Sequence, residues 1–161
     1  MSEPEFTIRR ATIDDAPIIT HHRRAMFQDM GECDNTKLDA MSASFKSWVT
    51  DRLASGEYCG WLTMNEQGTV IAGAGLWLLA WAPTPSDQST HRGYIFNVYT
   101  QPDYRRRGLA RRLMVTILDY CRENKMGVVA LHASADGRAL YESLGFKQTN
   151  EMRLFLEGAG K

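Results

Sequence analysis

The sequence predicts a mixed α/β domain, a mostly antiparallel sheet flanked by helices. Three observations carry that prediction. Strand-type apolar runs come early and flank a hairpin turn signal; later runs alternate with segments of helical period. The length of 161 residues suits one domain over 1–161. No internal repeat, low-complexity tract or Pro/Gly-rich linker divides it.

Residues 5–11 form the first strand, ending at Thr12-Ile13-Asp14-Asp15. Thr12 and Asp15 have the spacing of a capping box, and Pro17 is tolerable only in a first turn. A helix follows to Met30, with Ile18, Ile19, His22, Ala25 and Met26 at helical spacing and Gly31 beyond its end. A second helix covers 36–54, placing Leu38, Met41, Phe45, Trp48, Val49 and Leu53 on one face and Gly56 after it. Tyr58–Met64 and Val70–Trp81 are strands around the turn Asn65-Glu66-Gln67-Gly68. The second is apolar on both faces, as a central strand is. A loop runs from Pro83 to Arg92, and Tyr94–Thr100 is another strand. A helix over 108–124, a strand at 127–133, a short helix at 136–144 and a last strand at 146–156 complete the chain.

Lys+Arg and Asp+Glu number 19 each, and 43% of residues are hydrophobic, a globular composition. Zero net charge argues against a nucleic-acid partner, since phosphate affinity rests on a cationic excess. The N-terminus lacks the apolar run of a signal peptide, and the longest apolar stretch, Gly73 to Pro83, is too short for a membrane span. Cys33, Cys59 and Cys121 are scattered without metal-ligand spacing, so reduced thiols in a cytoplasmic protein are expected, with no metal. His21 and His22 are adjacent on a helix, point roughly 100° apart and cannot chelate one ion together.

The most informative segment runs from Val98 through Tyr99, Thr100 and Gln101-Pro102-Asp103-Tyr104 into Arg105-Arg106-Arg107-Gly108-Leu109-Ala110. A strand enters a tight turn, and small residues at 108 and 110 open an amphipathic helix. Free N–H groups and the positive dipole end face outward at such a start, and the arginines add phosphate donors. A phosphate or pyrophosphate cradle is the physical reading. A solvated basic patch ahead of an ordinary helix competes with it. Neither a G-x-x-x-x-G-K-[ST] loop nor a G-x-G-x-x-G after the first strand is present.

Arg105-Arg106-Arg107-Gly108-Leu109-Ala110 resembles the [QR]-x-x-G-x-[GA] acyl-CoA pyrophosphate loop of the GNAT superfamily of N-acetyltransferases. Ala139-Leu140-Tyr141-Glu142-Ser143-Leu144-Gly145-Phe146 is similar to that family's second signature, L-Y-x-x-x-G-F. The resemblance implies the GNAT fold and transfer of an acetyl group from acetyl-CoA to a primary amine by direct attack in a ternary complex. It implies that backbone groups at Val98, Tyr99 and Thr100 pair with the pantetheine arm and that a strand amide near Val98 meets the oxyanion. Arg105, Arg106, Arg107, Gly108, Leu109, Ala110 and Arg111 would hold the phosphates. Tyr141 stands at the general-acid position. A phenol stays protonated at neutral pH and can donate to a departing thiolate. A core aromatic beside Phe146 is the alternative role for it. Where the family often has Asn seven residues before the tyrosine, this chain has Ser134, which can hydrogen-bond and cap the following helix.

Candidate general bases are Glu57, His132, His91 or a carboxylate acting through water, none of which stands out, with a buried structural role the competing reading of His132. No cysteine adjoins an activating base, so a covalent route through Cys33, Cys59 or Cys121 is not expected. Asp29, Glu32, Asp34 and Asp39 make the region between the first two helices acidic, which would favour a cationic acceptor. Met26, Phe27, Met30, Trp48 and Trp77 would form its apolar wall, although core packing also explains them. The expected acceptor is a small-molecule amine. A protein or peptide amine, and a CoA-binding sensor with little catalysis, are the alternatives. Aminoacyl-tRNA as substrate would want a broad basic surface that the charge balance does not supply. A homodimer is a habit of the family. Five of the 19 cationic residues fall within 105–112 with no acid among them, so the remainder of the chain is mildly acidic.

Overall fold

The computed structural model describes residues 5–158. Strand β1 (Thr7–Arg10) is tied to the first helix by charge. The Arg9 guanidinium donates to both oxygens of Asp15 at 2.8 Å, and the same carboxylate accepts the Thr12 amide at 2.7 Å. Arg9, then the Thr12 amide, hold the Asp15 carboxyl below the usual range against its partial burial. The expected capping box therefore forms, opening a 3-10 turn at Ile13–Asp15 that leads into α1 (Ala16–Asp29) with Pro17 in its first turn.

Helix α2 (Asn35–Ser55) starts where Asp34 accepts the amides of Thr36 and Lys37, and it ends at Gly56, whose φ of 82° is left-handed. Strands β2 (Tyr58–Met64) and β3 (Val70–Ala80) form the expected hairpin. Asn65 Oδ1 accepts the Gln67 and Thr69 amides, closing its turn. Strand β4 (His91–Thr100) pairs with β3 from Ala80↔His91 onward, so it begins earlier than the sequence predicts.

Helix α3 (Leu109–Glu123), the short β5 (Val129–Leu131) and α4 (Arg138–Ser143) follow. The sheet order is β1-β2-β3-β4-β5, antiparallel except for the β4–β5 pair. The doubly apolar β3 lies at its centre. On one face α1 and α2 pack Ile19, Phe45 and Val49 against Tyr58 and Leu62. On the other, Leu113, Met114 and Ile117 of α3 cover Ile71, Ala72, Leu76 and Ile95. Each of those three α3 side chains contributes roughly 1.5–3 kcal/mol by leaving water.

Three expectations are corrected. Residues 146–156 form no strand: they join no ladder of the sheet, and Met152 and Leu154 are 94% and 81% exposed. The strand expected at 127–133 shrinks to three residues, which offer too short an edge for a further strand. His132 is exposed, so the buried reading of it fails.

His22 is the buried histidine instead. Only 2% exposed, it lies 5.0 Å from the Tyr99 ring at a tilt of 41°, and its Nε2 is buried without a hydrogen bond. Burial first, then the charge of His21, pulls its pKa down to about 4. The unfolded chain takes up this proton near pH 6.5, so the stability gained by keeping His22 neutral is complete above that pH. It is lost as pH falls through 4, by about 3 kcal/mol. Denaturant midpoints measured from pH 7 to 4 are expected to fall more steeply for the native chain than for His22→Gln; equal slopes would refute this. Among the described residues no helix is long and apolar enough to cross a membrane.

Candidate active site

The site begins where the sheet comes apart. Gly93, Tyr94 and Ile95 of β4 pair with Val129, Ala130 and Leu131, and the pairing stops there while β4 runs on to Thr100. Residues 96–100 therefore have β3 on one side and a gap on the other. Across from β3, the register slips between Gly73 and Gly75, so Ala74 opposes both Asn97 and Val98. Asn97 takes φ of 55°, the left-handed conformation that Asn tolerates better than most residues.

Beyond the strand, Gln101 donates to Ile71 O, and Pro102–Tyr104 make one 3-10 turn. Arg106 (φ 61°) and Gly108 (φ 75°) are then both left-handed. This curls the backbone into a nest whose amides from Arg106 to Arg111 donate no hydrogen bond within the described residues. A Cβ on Gly108 would meet nothing within 4 Å, so the turn faces open space. The α3 dipole adds positive potential at the same place. These features fit a phosphate-bearing group.

The arginine side chains are mostly engaged elsewhere. Arg105 donates to Thr100 O at 2.9 Å and to Asp29 at 2.5 Å. Arg107 reaches Asp103 O and covers the Tyr104 ring, Arg111 binds Ser143 Oγ, and Arg112 binds Phe6 O. The backbone, more than the guanidinium groups, is what this turn presents.

Tyr141 on α4 is 8% exposed and stands edge-on to Phe146, 6.2 Å between centroids. It belongs to the same core cluster as Leu109, and Val98 packs against that cluster. The end of β4, the start of α3 and α4 therefore meet. Gly137 is a packing requirement: a Cβ there would stand 2.7 Å from the Tyr141 ring. The Tyr141 hydroxyl has no hydrogen-bond partner among the described residues, and burial raises its pKa. Ser134 does cap α4, its Oγ accepting the Gly137 amide at 3.1 Å.

Of the three candidate bases, His91 is exposed beside Thr90, and Glu57 lies against Arg52. His132 stands otherwise. Its Nδ1 is 2.7 Å from the Tyr94 hydroxyl and its Nε2 is 3.2 Å from Glu151. Tyr94, His132 and Tyr141 line one cavity of about 800 Å³ along β5. Cys59 and Cys121 are buried, and burial pushes the Cys121 thiol up to about 11, away from a nucleophilic thiolate.

Two of the four acids read between α1 and α2 are ion-paired, Asp29 with Arg105 and Asp39 with Arg24, while Asp34 caps α2 and Glu32 accepts the Asp34 amide. An ion pair offsets a carboxylate's charge and a backbone amide does not, so the region is less acidic than its sequence reads without being neutral. Trp48 and Trp77 do meet, edge-on at 5.1 Å, and Tyr58, Tyr94 and Phe96 extend that aromatic surface. Met30 is exposed and stands outside it. Asn97, Tyr94 and Phe96 were missed in the sequence. An amide in the middle of an otherwise apolar strand was the signal for the first.

A parted sheet flanked by helices, with an open-amide nest at the mouth of the gap, defines the class of this mixed α/β domain. The chain belongs to the Acetyltransferase (GNAT) family, whose profile matches residues 20–146. A GCN5-related N-acetyltransferase from Ralstonia eutropha JMP134 superposes with a TM-score of 0.90 at 37% identity, covering 96% of this chain and 100% of that one. A predicted acetyltransferase from Clostridium acetobutylicum, solved with acetyl-CoA, shares the fold at a TM-score of 0.86 and 24% identity, covering 94% and 96%. Human N-acetyltransferase 8 is 29% identical over 125 residues, 73% of this chain and 49% of that protein. The chain thus spans about half the length of that curated relative. Among the described residues no group of three or more His, Cys, Asp or Glu side chains is placed to hold a metal.

Proposed function

We propose that this chain is an acetyl-CoA-dependent N-acetyltransferase acting on the primary amine of a small molecule, by direct attack in a ternary complex. The observation that carries the reading is the nest of unpaired amides at the start of α3, with Tyr141 on the helix that Arg111 ties to that start through Ser143. Acetyl-CoA, when bound, supplies the acyl group as a thioester. The amides of residues 106–111 bind its phosphates, with Arg106 adding an exposed charge. Backbone groups at Val98, Tyr99 and Thr100, which lack a strand partner on the open side, hold the pantetheine arm. A strand amide near Val98 donates to the carbonyl oxygen as its charge grows. The Tyr94–His132 pair takes the proton of the acceptor amine, and Tyr141 holds a proton for the departing sulfur.

Thiol release from acetyl-CoA against an amine panel, alongside thermal shift, tests this. Release with at least one amine supports it. Stabilisation by acetyl-CoA without release under any acceptor would favour a sensor, and absence of a shift with any acyl-CoA would overturn the assignment. Release with peptide amines alone would reject the small-molecule acceptor. Gly108→Ala adds a Cβ in the open nest at a left-handed φ, a strain on the order of 1 kcal/mol. Its expected result is a KM for acetyl-CoA raised roughly tenfold with kcat nearly kept. A homodimer belongs to the same reading, supported by the unpaired apolar residues Met152, Leu154, Phe155 and Leu156, and light scattering reads it.

A further inference from the structure

Arg23 projects from α1 to where α1, α2 and β4 converge. Its guanidinium carbon lies 5.0, 4.8 and 5.6 Å from the ring centroids of Phe27, Phe45 and Phe96. Nη1 donates to Asn97 Oδ1 at 2.7 Å, while Nε is buried with no partner. No carboxylate among the described residues pairs with it. The neighbouring Arg24 has Asp39, and Arg105 has Asp29, so those two acids are already committed. An arginine cannot discharge itself by losing a proton, so a partly desolvated guanidinium without an anion leaves an uncompensated charge. Aromatic faces offset part of that cost. Nη2 makes no hydrogen bond among the described residues, and Nη1 is held at Asn97, one residue before Val98.

We propose that Arg23 anchors a carboxylate of the acceptor, so that the molecule acetylated is amino-acid-like, carrying a primary amine and a carboxylate. The inference rests on the acetyl-transfer reading and narrows its substrate class. Asn97 is the positioning residue: its amide oxygen orients the guanidinium, and its left-handed backbone turns it toward α1. The aromatic residues Trp77, Tyr94 and Phe96 make an apolar body on the acceptor favourable.

The experiment compares free amino acids, both α- and ω-amino, with their primary amides in thiol-release assays. It also measures thermal shifts with 3-phenylpropanoate against 3-phenylpropanol. The native chain is expected to favour acids over amides in kcat/KM by roughly tenfold to a hundredfold, the worth of one charge-assisted pair. It should also be stabilised by the propanoate alone. In Arg23→Met both preferences should vanish. Asn97→Asp, nearly isosteric, places a carboxylate beside Arg23 and should abolish the acid preference with the arginine still present. Amides used as well as acids by the native chain would overturn the proposal. So would an Arg23→Met variant that loses thermal stability while its acid-to-amide ratio stays unchanged, the signature of a purely structural arginine. Turnover of amines lacking a carboxylate alone would sink this inference and leave acetyl transfer standing; no turnover with any amine would sink both.

Discussion

Tyr141→Phe is expected to lower kcat by roughly 10²- to 10⁴-fold, the usual weight of a positioned proton donor. The KM for acetyl-CoA should barely move. The substitution removes one hydroxyl that has no hydrogen-bond partner among the described residues, while the ring keeps its packing against Phe146 and over Gly137. Thermal stability should therefore match the native chain, which separates a catalytic loss from a folding loss. Burial raises the phenol pKa above its ordinary value near 10, so the group stays protonated throughout the physiological range. Its deprotonation then contributes no falling limb to the pH–rate profile below pH 10. Steady-state thiol release from pH 6 to 10 reads both effects, and an unchanged kcat would remove Tyr141 from the proposed chemistry.

Gly75→Ala should be the most damaging single methyl in the sheet. A Cβ at that position would lie 2.0 Å from the Tyr58 hydroxyl oxygen and 2.3 Å from its Cζ. Tyr58 cannot swing away. It is 2% exposed, edge-on to Trp48 at 6.3 Å and to Phe96 at 5.5 Å, and its burial pushes its pKa up to about 12. Overpacking of this kind costs about 3 kcal/mol. For a chain of this length that lowers Tm by roughly 6–12 °C. Thermal unfolding of Gly75→Ala, Tyr58→Val and the double variant tests the cause. The two penalties should be strongly non-additive, because the smaller side chain removes the clash; simple addition would show that the contact is not the source.

Much of the fold was legible because the signals are local. Thr12 with Asp15, Asn65 with Gly68, and Gly56 mark their turns through hydrogen bonds and φ values set within a few residues. The α3 start was legible for the same reason, since small residues after an arginine run suffice to define a nest. The last strand was misread because the apolar residues of 146–156 state only that a strand could form. Forming one needs an edge, and the three-residue β5 supplies too little of one. The ion pairing within the acidic region was not legible, because Asp29 and Arg105 are 76 residues apart and only the folded chain brings them to 2.5 Å.

The amino-acid order by itself determined the order of elements from β1 to α4, the family and the curled turn ahead of α3, because caps, turns and periodicity act over a few residues. Tertiary structure alone decided which charges remain free. It paired Asp29 and Asp39 with arginines, left Arg23 without a carboxylate partner among the described residues, exposed His132 beside Tyr94 and buried His22. A charge's worth depends on what lies within a few ångströms, and in this chain those neighbours come from distant segments.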